Sequence, residues 1–366
     1  MAWVRRHRLV LVLLAVAAVY FVYFYMQHTE RPGAVTDLGW AGWADQGRYL
    51  DEARAIREGD LTPGRYQYPM GYPMVGVPFV HLLPDDPFVP VNLVCLLAVV
   101  ALFFLTAKRF VGSGLAFLGG LLLVLATPLV DHTAVPWTTT PAVVTVAWWA
   151  YVAFARQRID LLAVVVGGGL LGWTYMARGG GEWLLLAPFG AAVAWQHRKD
   201  RRILLHLGVL AAILAAVAVL NALWTRAVFG TWSHPYLGAV AEFGFDLGRA
   251  PSSLWGTVVY SGPAGDYWPP LGVQALWLAF APFGMYLAAR GKDRVLHLGM
   301  VASTVLGFVV VASFGNYAAS ALKYHCLHYL KLWLPILAVY SLVAIRSLLE
   351  QQPNQAGAVP AATVTS

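Results

Sequence analysis

The sequence predicts an all-α, polytopic membrane bundle of about ten transmembrane helices with both termini cytoplasmic. Three observations lead there. Of the 366 residues, 59% are hydrophobic and 12% are charged, against a charged share of about 25% in soluble chains. The apolar residues gather in blocks near the length of ~17–25 residues that a helix needs to cross a bilayer. The cations cluster in the short gaps between alternate blocks, as topology signals do.

The first block, residues 9–26, follows Arg5, Arg6 and Arg8 and ends in YFVYFYM. It lacks a small-x-small cleavage site, so it reads as a retained signal-anchor helix rather than a cleaved leader. Further spans are expected near 88–106, 113–130, 141–155, 160–177, 183–196, 203–229, 271–289, 295–314 and 330–347. With a cytoplasmic N-terminus, the inner turns carry Lys108/Arg109, Arg156/Arg158, Arg198/Lys199/Arg201/Arg202, Arg290/Lys292/Arg294 and Arg346. With the three N-terminal arginines they hold 15 of the 25 Lys and Arg, which fixes the orientation. External segments are then 27–87, 131–140, 178–182, 230–270 and 315–329. One membrane domain covers 1–349, and the tail 350–366 (QQPNQAGAVPAATVTS after Glu350) reads as a disordered cytoplasmic extension.

The formal charge of +7 does not indicate nucleic acid, because the cations mark turns rather than a patch. Cys95 and Cys326 form neither a CxxC site nor a disulfide framework. Gly168 and Gly172 lie in GGGLLG within a span and suit close helix packing. The inner turns are too short for a nucleotide-binding domain, so any chemistry belongs on the outer face.

There the stretch WADQGRYLDEARAIREGD, residues 43–60, spaces Asp45, Tyr49, Glu52 and Ile56 along one helix face. Asp45 opens that amphipathic helix. It is either a helix cap or a general base at the bilayer edge. The next segment, GRYQYPMGYPMVGVPF, carries Pro69, Pro73 and Pro78 and is expected to run extended. Arg178 ends a span on the outer side. It either snorkels to headgroups, pairs with Glu182, or binds an anion. Gly179–181 permit a tight turn beside it. His325, Cys326 and His328 are too crowded for a common zinc spacing, so neither metal nor cofactor is expected. The loop 230–270, with His234 and Asp266, reads either as a lid or as a solvated loop.

Taken in order, these pieces resemble the GT-C superfamily of membrane glycosyltransferases, in its protein O-mannosyltransferase and lipid A aminoarabinose transferase branch. DQGRYLDEARAIREGD followed by YPMGYP is similar to the family's first external loop. MARGGGEWLLLAP, NALWTRAVFGTWSHPYLG and HYLKLWLPILAVY are similar to its later motifs. The resemblance spans roughly residues 9–347. It implies inverting transfer of a sugar from a polyprenyl-phosphate donor to a glycan, lipid or protein acceptor, on the outer face of the cytoplasmic membrane. Asp45 would be the catalytic base. Arg178, Lys323, His328 and Lys331 would be the candidates to hold the donor phosphate. Tyr49, Tyr68, Tyr72, Asp131, His132, Glu182 and His234 would line the substrate site.

Two departures stand out. His328 occupies the place of the family's Arg before Tyr329. Thr139 and Thr140 precede Pro141 where many members have a second acid, so Asp131 and His132 either compensate or leave one carboxylate. The competing reading is a transporter or flippase of a lipid-linked substrate, against which stand span interiors without charges and the lack of an internal repeat. A non-catalytic scaffold of the same fold is a third.

Overall fold

The computed structural model describes residues 2–28, 44–236, 238, 244–259, 271–313 and 329–350. Lys323, His325, Cys326, His328, Asp266 and the tail after Glu350 lie outside the described residues. Helices and turns make up the described chain, with no β-strand among the described residues. In chain order the first nine helices are α1 (Ala2–His28), α2 (Ala44–Glu58), α3 (Pro73–Gly76), α4 (Val89–Leu125), α5 (Leu129–Ala134), α6 (Thr140–Ala150), α7 (Leu161–Arg178), α8 (Gly181–Gln196) and α9 (Ile203–Phe229). Ala250–Val258, Ala281–Ala289, Arg294–Ser313 and Leu334–Glu350 are the main later helices.

Six helices among the described residues are long and apolar enough to cross a membrane. Because α4 breaks at Gly112, where φ is 79°, it covers two of the expected spans, and the six account for seven of the ten. Only glycine adopts that conformation without strain. The break falls just beyond Lys108 and Arg109, where the sequence places a turn. The other three regions are interrupted or short. Residues 140–156 pass from α6 into a π-helical turn, Tyr151–Arg156. α8 has 16 residues. Residues 271–289 are not one helix, as expected from their hydropathy, but a short turn, the 3-10 stretch Leu276–Phe280 and then Ala281–Ala289. Hydropathy reports that a segment avoids water, not that its backbone is continuous.

The final helix is the centre of the bundle and α9 its edge. The share of each span buried inside the protein is 61% for residues 331–350 and 11% for α9. α1, α4, α6 and the last helix share one apolar core that includes Leu13, Phe103, Trp333 and Leu342. α9 is attached through α7, where a Cβ on Gly172 would lie 2.8 Å from Val217 Cγ2. This bears out the close packing expected of the GGGLLG stretch. Gly172→Leu is expected to prise α9 from α7 at a cost of about 1–3 kcal/mol, read as a lower thermal unfolding midpoint in detergent.

The proline-rich segment departs from its expectation. It is not extended throughout but folds into one-turn helices, Pro63–Arg65, α3 and Val77–Phe79, each with proline in its first positions. The reason is positional: proline cannot sit inside a helix, yet its fixed φ suits the first turn. Between these turns Tyr66 is extended. Asp131 and His132, expected in an open external turn, lie instead in the short helix α5, where His132 is fully buried. The surrounding Leu129, Val130 and Ala134 are as apolar as a span, and they carry the two polar residues inward.

Candidate active site

α2 has acid in its first turn, Asp45, and base in its last, Arg57, which complements the helix dipole at both ends. Gly59, with φ 71°, stops it: Asp60 N bonds Ala55 O at 3.0 Å and Gly59 N bonds Ile56 O at 3.2 Å. This is the paired closure of a left-handed glycine cap. The 3.6-residue period holds in the fold. Tyr49, Glu52 and Ala53 are buried, whereas Arg48 and Asp51 on the other face are exposed. Gln46 Nε2 donates to Pro136 O at 2.9 Å, tying the start of α2 to the turn between α5 and α6.

The tyrosines of the proline-rich segment close over this face. Tyr68 donates its hydroxyl to Asp45 Oδ1 at 2.5 Å. Tyr49 lies edge-on against Tyr68 and Tyr72, with ring centroids 4.9 and 5.4 Å away. Tyr72 stacks on Phe88 and donates to Asn92 Oδ1 at 2.8 Å. Burial and then the Asp45 charge raise the Tyr68 and Tyr49 hydroxyls well above their usual range. Both therefore stay protonated donors.

The cations come from the other side. Gly179 and Gly180, with φ of 80° and 97°, turn the chain from α7 into α8. That reversal sets Arg178 against Glu182, and the two form an ion pair. Arg178 Nη1 donates to Thr138 Oγ1 at 2.9 Å, and its guanidinium lies 4.6 Å from the centre of the Tyr329 ring. Arg178 therefore does not snorkel. Its planar head is fixed by a carboxylate, a hydroxyl and an aromatic face, a setting Lys could not reproduce. Lys331 is fully buried; its Nζ donates to His132 O at 2.5 Å and to Thr140 Oγ1 at 3.3 Å.

The structure thus gathers Asp45, Tyr49, Tyr68, Tyr72, Arg178 and Glu182 around one turn, with Lys331 beneath it. His132 reaches Lys331 through its backbone carbonyl. Asp131 lies within electrostatic range of Tyr20 on α1. His234 is buried, with Nδ1 accepting from Tyr236 N at 3.1 Å and its ring edge-on to Phe229. Burial lowers its pKa, which keeps the imidazole neutral near pH 7. Its neighbour Tyr236 packs against Tyr68 at 5.1 Å.

Several participants escape the sequence reading. Thr138 is the hub: it holds Arg178, and its side chain lies beside the Tyr49 hydroxyl. Tyr236, Tyr329 and Gln46 also join the cluster. The only sequence signal near Thr138 is its place before Thr139 and Thr140, the pair that stands where many members have a second acid. A cleft of about 240 Å³ lies elsewhere, lined by apolar side chains of α6, α7, α8 and α9 such as Trp149, Phe189 and Leu210. It holds none of the groups above. No group of three or more His, Cys, Asp or Glu side chains able to hold a metal ion occurs among the described residues.

Chemically, the arrangement sets a half-exposed carboxylate next to a hydroxyl donor and links it, through Tyr49 and Thr138, to a guanidinium. It can take a proton on one side and stabilise developing negative charge on the other.

Neither a comparison with models of protein families nor one with curated proteins finds a match. Among solved structures, the chain is similar to ArnT from Cupriavidus metallidurans bound to undecaprenyl phosphate. The TM-score is 0.65 and the identity 14%, over 93% of this chain and 60% of that one. Against the apo state of the same protein the TM-score is 0.62 and the identity 17%, over 93% and 61% of the two chains. This chain spans about three fifths of the length of those structures. The fold is shared with these ArnT structures.

Proposed function

We propose that this chain is an inverting glycosyltransferase, moving a sugar from a polyprenyl-phosphate donor to an acceptor hydroxyl on a glycan, lipid or protein. The observation that carries the reading is the Asp45–Tyr68 hydrogen bond beside the held Arg178, in a fold whose ArnT counterpart binds undecaprenyl phosphate. Positive-inside turns support an outward-facing site in the cytoplasmic membrane, with residues 1–349 as one GT-C-like domain. The donor's tail then stays in the bilayer and its phosphate lies at headgroup depth.

In the reaction Asp45 removes the proton of the acceptor hydroxyl. The acceptor oxygen attacks the sugar's anomeric carbon from the face opposite the phosphate. The bond from that carbon to the phosphate oxygen breaks, and the polyprenyl phosphate leaves with the electron pair. The configuration inverts. Arg178 stabilises the charge growing on the leaving phosphate, and Lys331 holds the turn beneath it through the His132 carbonyl and the Thr140 hydroxyl. Lys323 and His328 remain candidates for direct phosphate contact. Tyr68 orients the Asp45 carboxylate, so Tyr68→Phe is expected to lower the transfer rate about tenfold, the worth of one hydrogen bond to a charged group. Tyr49, Tyr72, Glu182 and His234 are the proposed substrate-contacting residues.

A deletion strain tests the reading. Mass spectrometry of its surface glycans and polyprenyl-linked sugars is expected to show one sugar missing from a glycan, with its lipid-linked donor accumulating. If the glycans are intact, or if the sugar is lost without donor accumulation, the transferase reading fails. A donor trapped on the inner leaflet would instead support a flippase.

A further inference from the structure

Glu52 has no part in the reaction above, yet it is among the least accessible carboxyl groups a helix can carry. It follows Asp45 by seven residues on the same face of α2, about 10 Å along the axis. It is 0% exposed. Its Oε1 accepts two backbone hydrogen bonds, from Gln67 N at 2.7 Å and Tyr68 N at 2.8 Å. Its Oε2 is buried with no partner, and no cation forms an ion pair with it among the described residues. A charged carboxylate in that setting is costly, and neutralisation is the ordinary escape.

We propose that Glu52 is the positioning residue of the candidate base: as a neutral carboxylic acid it latches the Gln67–Tyr68 backbone onto α2 and so keeps the Tyr68 hydroxyl on Asp45. The inference rests on Asp45 acting as proposed above. Oε1 is occupied by the two N–H donors, so the proton resides on Oε2. The segment held in this way is the one that carries Tyr68, whose hydroxyl is that segment's hydrogen bond to the Asp45 carboxylate among the described residues. A purely architectural role would need the acceptor Oε1 alone and would be indifferent to the proton.

The electrostatics agree. Burial pushes the Glu52 carboxyl up to about 8, against the opposing pull of the Tyr68 and Gln67 N–H groups and of Arg48. The charged and titratable groups around it are Arg48 and Asp51 on α2, and Tyr66 and Tyr68 on the latched segment. His234 lies beyond, beside the Tyr68 backbone. Were the segment released, water would reach Glu52 and its pKa would return to about 4.3. The pKa is therefore raised in the latched state. The latch is at full strength below the ordinary carboxylate range and is lost as pH rises through about 8.

Hydrogen exchange at residues 64–72 of the full chain in lipid nanodiscs, corrected for intrinsic rates, reads the latch without any substrate. In the wild-type protein the latching constant is expected to fall about tenfold between pH 7 and pH 9. Glu52→Gln keeps the Oε1 acceptor and places N–H where the proton was, so protection is expected to persist at pH 9. Glu52→Ala removes the acceptor and is expected to lose protection at every pH. Wild-type protection that does not change with pH, or a Gln variant that follows the wild type, would overturn the proposal.

A second readout is donor consumption in the complemented deletion strain at external pH 6.5 and 8.5, with Asp45→Asn alongside. The Gln variant is expected to keep its activity at pH 8.5 while the wild type declines. If Asp45→Asn is inactive and yet the Gln variant declines as the wild type does, Glu52 does not position the base. If Asp45→Asn is active, the function reading itself has failed.

Discussion

Asp45→Asn is expected to remove sugar transfer almost completely, by about 10²–10⁴-fold in rate, with little change in fold. The substitution is nearly isosteric, and an amide oxygen can still accept the Tyr68 hydroxyl that now lies 2.5 Å from Oδ1. The aromatic packing of Tyr49, Tyr68 and Tyr72 is untouched. What disappears is the basicity of the group. Wild-type and variant proteins at matched membrane abundance, read by mass spectrometry of glycans and lipid-linked sugars, should therefore differ as wild type differs from deletion. The thermal midpoint should stay within the ±0.5 kcal/mol range of a tolerated substitution. An active Asn variant would make Asp45 a helix-start residue and no more.

Gly71→Ala is expected to have the next largest effect, and by a different route. Gly71 sits between the two halves of the site. Its N–H bonds Met176 O at 2.9 Å, and its carbonyl accepts from Trp173 Nε1 at 2.8 Å. A Cβ there would meet the Met176 carbonyl carbon at 2.5 Å and Ala177 N at 2.6 Å. Those are backbone atoms of α7 immediately before Arg178, and they cannot rotate away. The segment must lift from α7, breaking both hydrogen bonds and moving Tyr68 and Tyr72 away from Arg178. Overpacking of this kind costs about 1–3 kcal/mol, and each broken hydrogen bond adds about 1 kcal/mol. The thermal midpoint should fall by several degrees. Transfer should fall more than tenfold even at temperatures where the variant is folded, because an ångström of misplacement is enough. Normal transfer by a folded Gly71→Ala protein would show that the two halves need not be held together.

Much of this architecture is written in local patterns. The buried face of α2 follows from the spacing of Tyr49 and Glu52, and the α7–α9 contact from Gly168 and Gly172. Asp45 stands out because it opens an amphipathic helix on the outer face, and Arg178 because a charge at the outer end of an apolar block needs a reason. Other features depend on neighbours that no local pattern names. Thr138 looks like any small polar residue before a helix, and only the fold brings Arg178 to it. Glu52 announces its face but not its burial, since an acid at that spacing is normally solvated. The prolines at 73 and 78 carry two meanings, break or begin, and the packing of Phe88 against Tyr72 and Gly76 selects the second. Lys331 reads in the sequence as one of several cations able to meet the donor phosphate, with no sign that it is buried. Its place at the core comes from the final helix passing through the middle of the bundle.

The turn between α5 and α6 has a consequence for how such a protein lives in a changing bilayer. Within a few residues, the carbonyl of Pro136 holds Gln46 next to Asp45, Thr138 holds Arg178, and Thr140 with the His132 carbonyl holds Lys331. Acid and cations are therefore registered to one short piece of backbone rather than to one another across the bundle. Spans accommodate a thinner or thicker membrane by tilting, and α9 is the least buried of them here. The tool and its workpiece clamp ride on the same mount, so their separation is set by chain chemistry and not by the lipid.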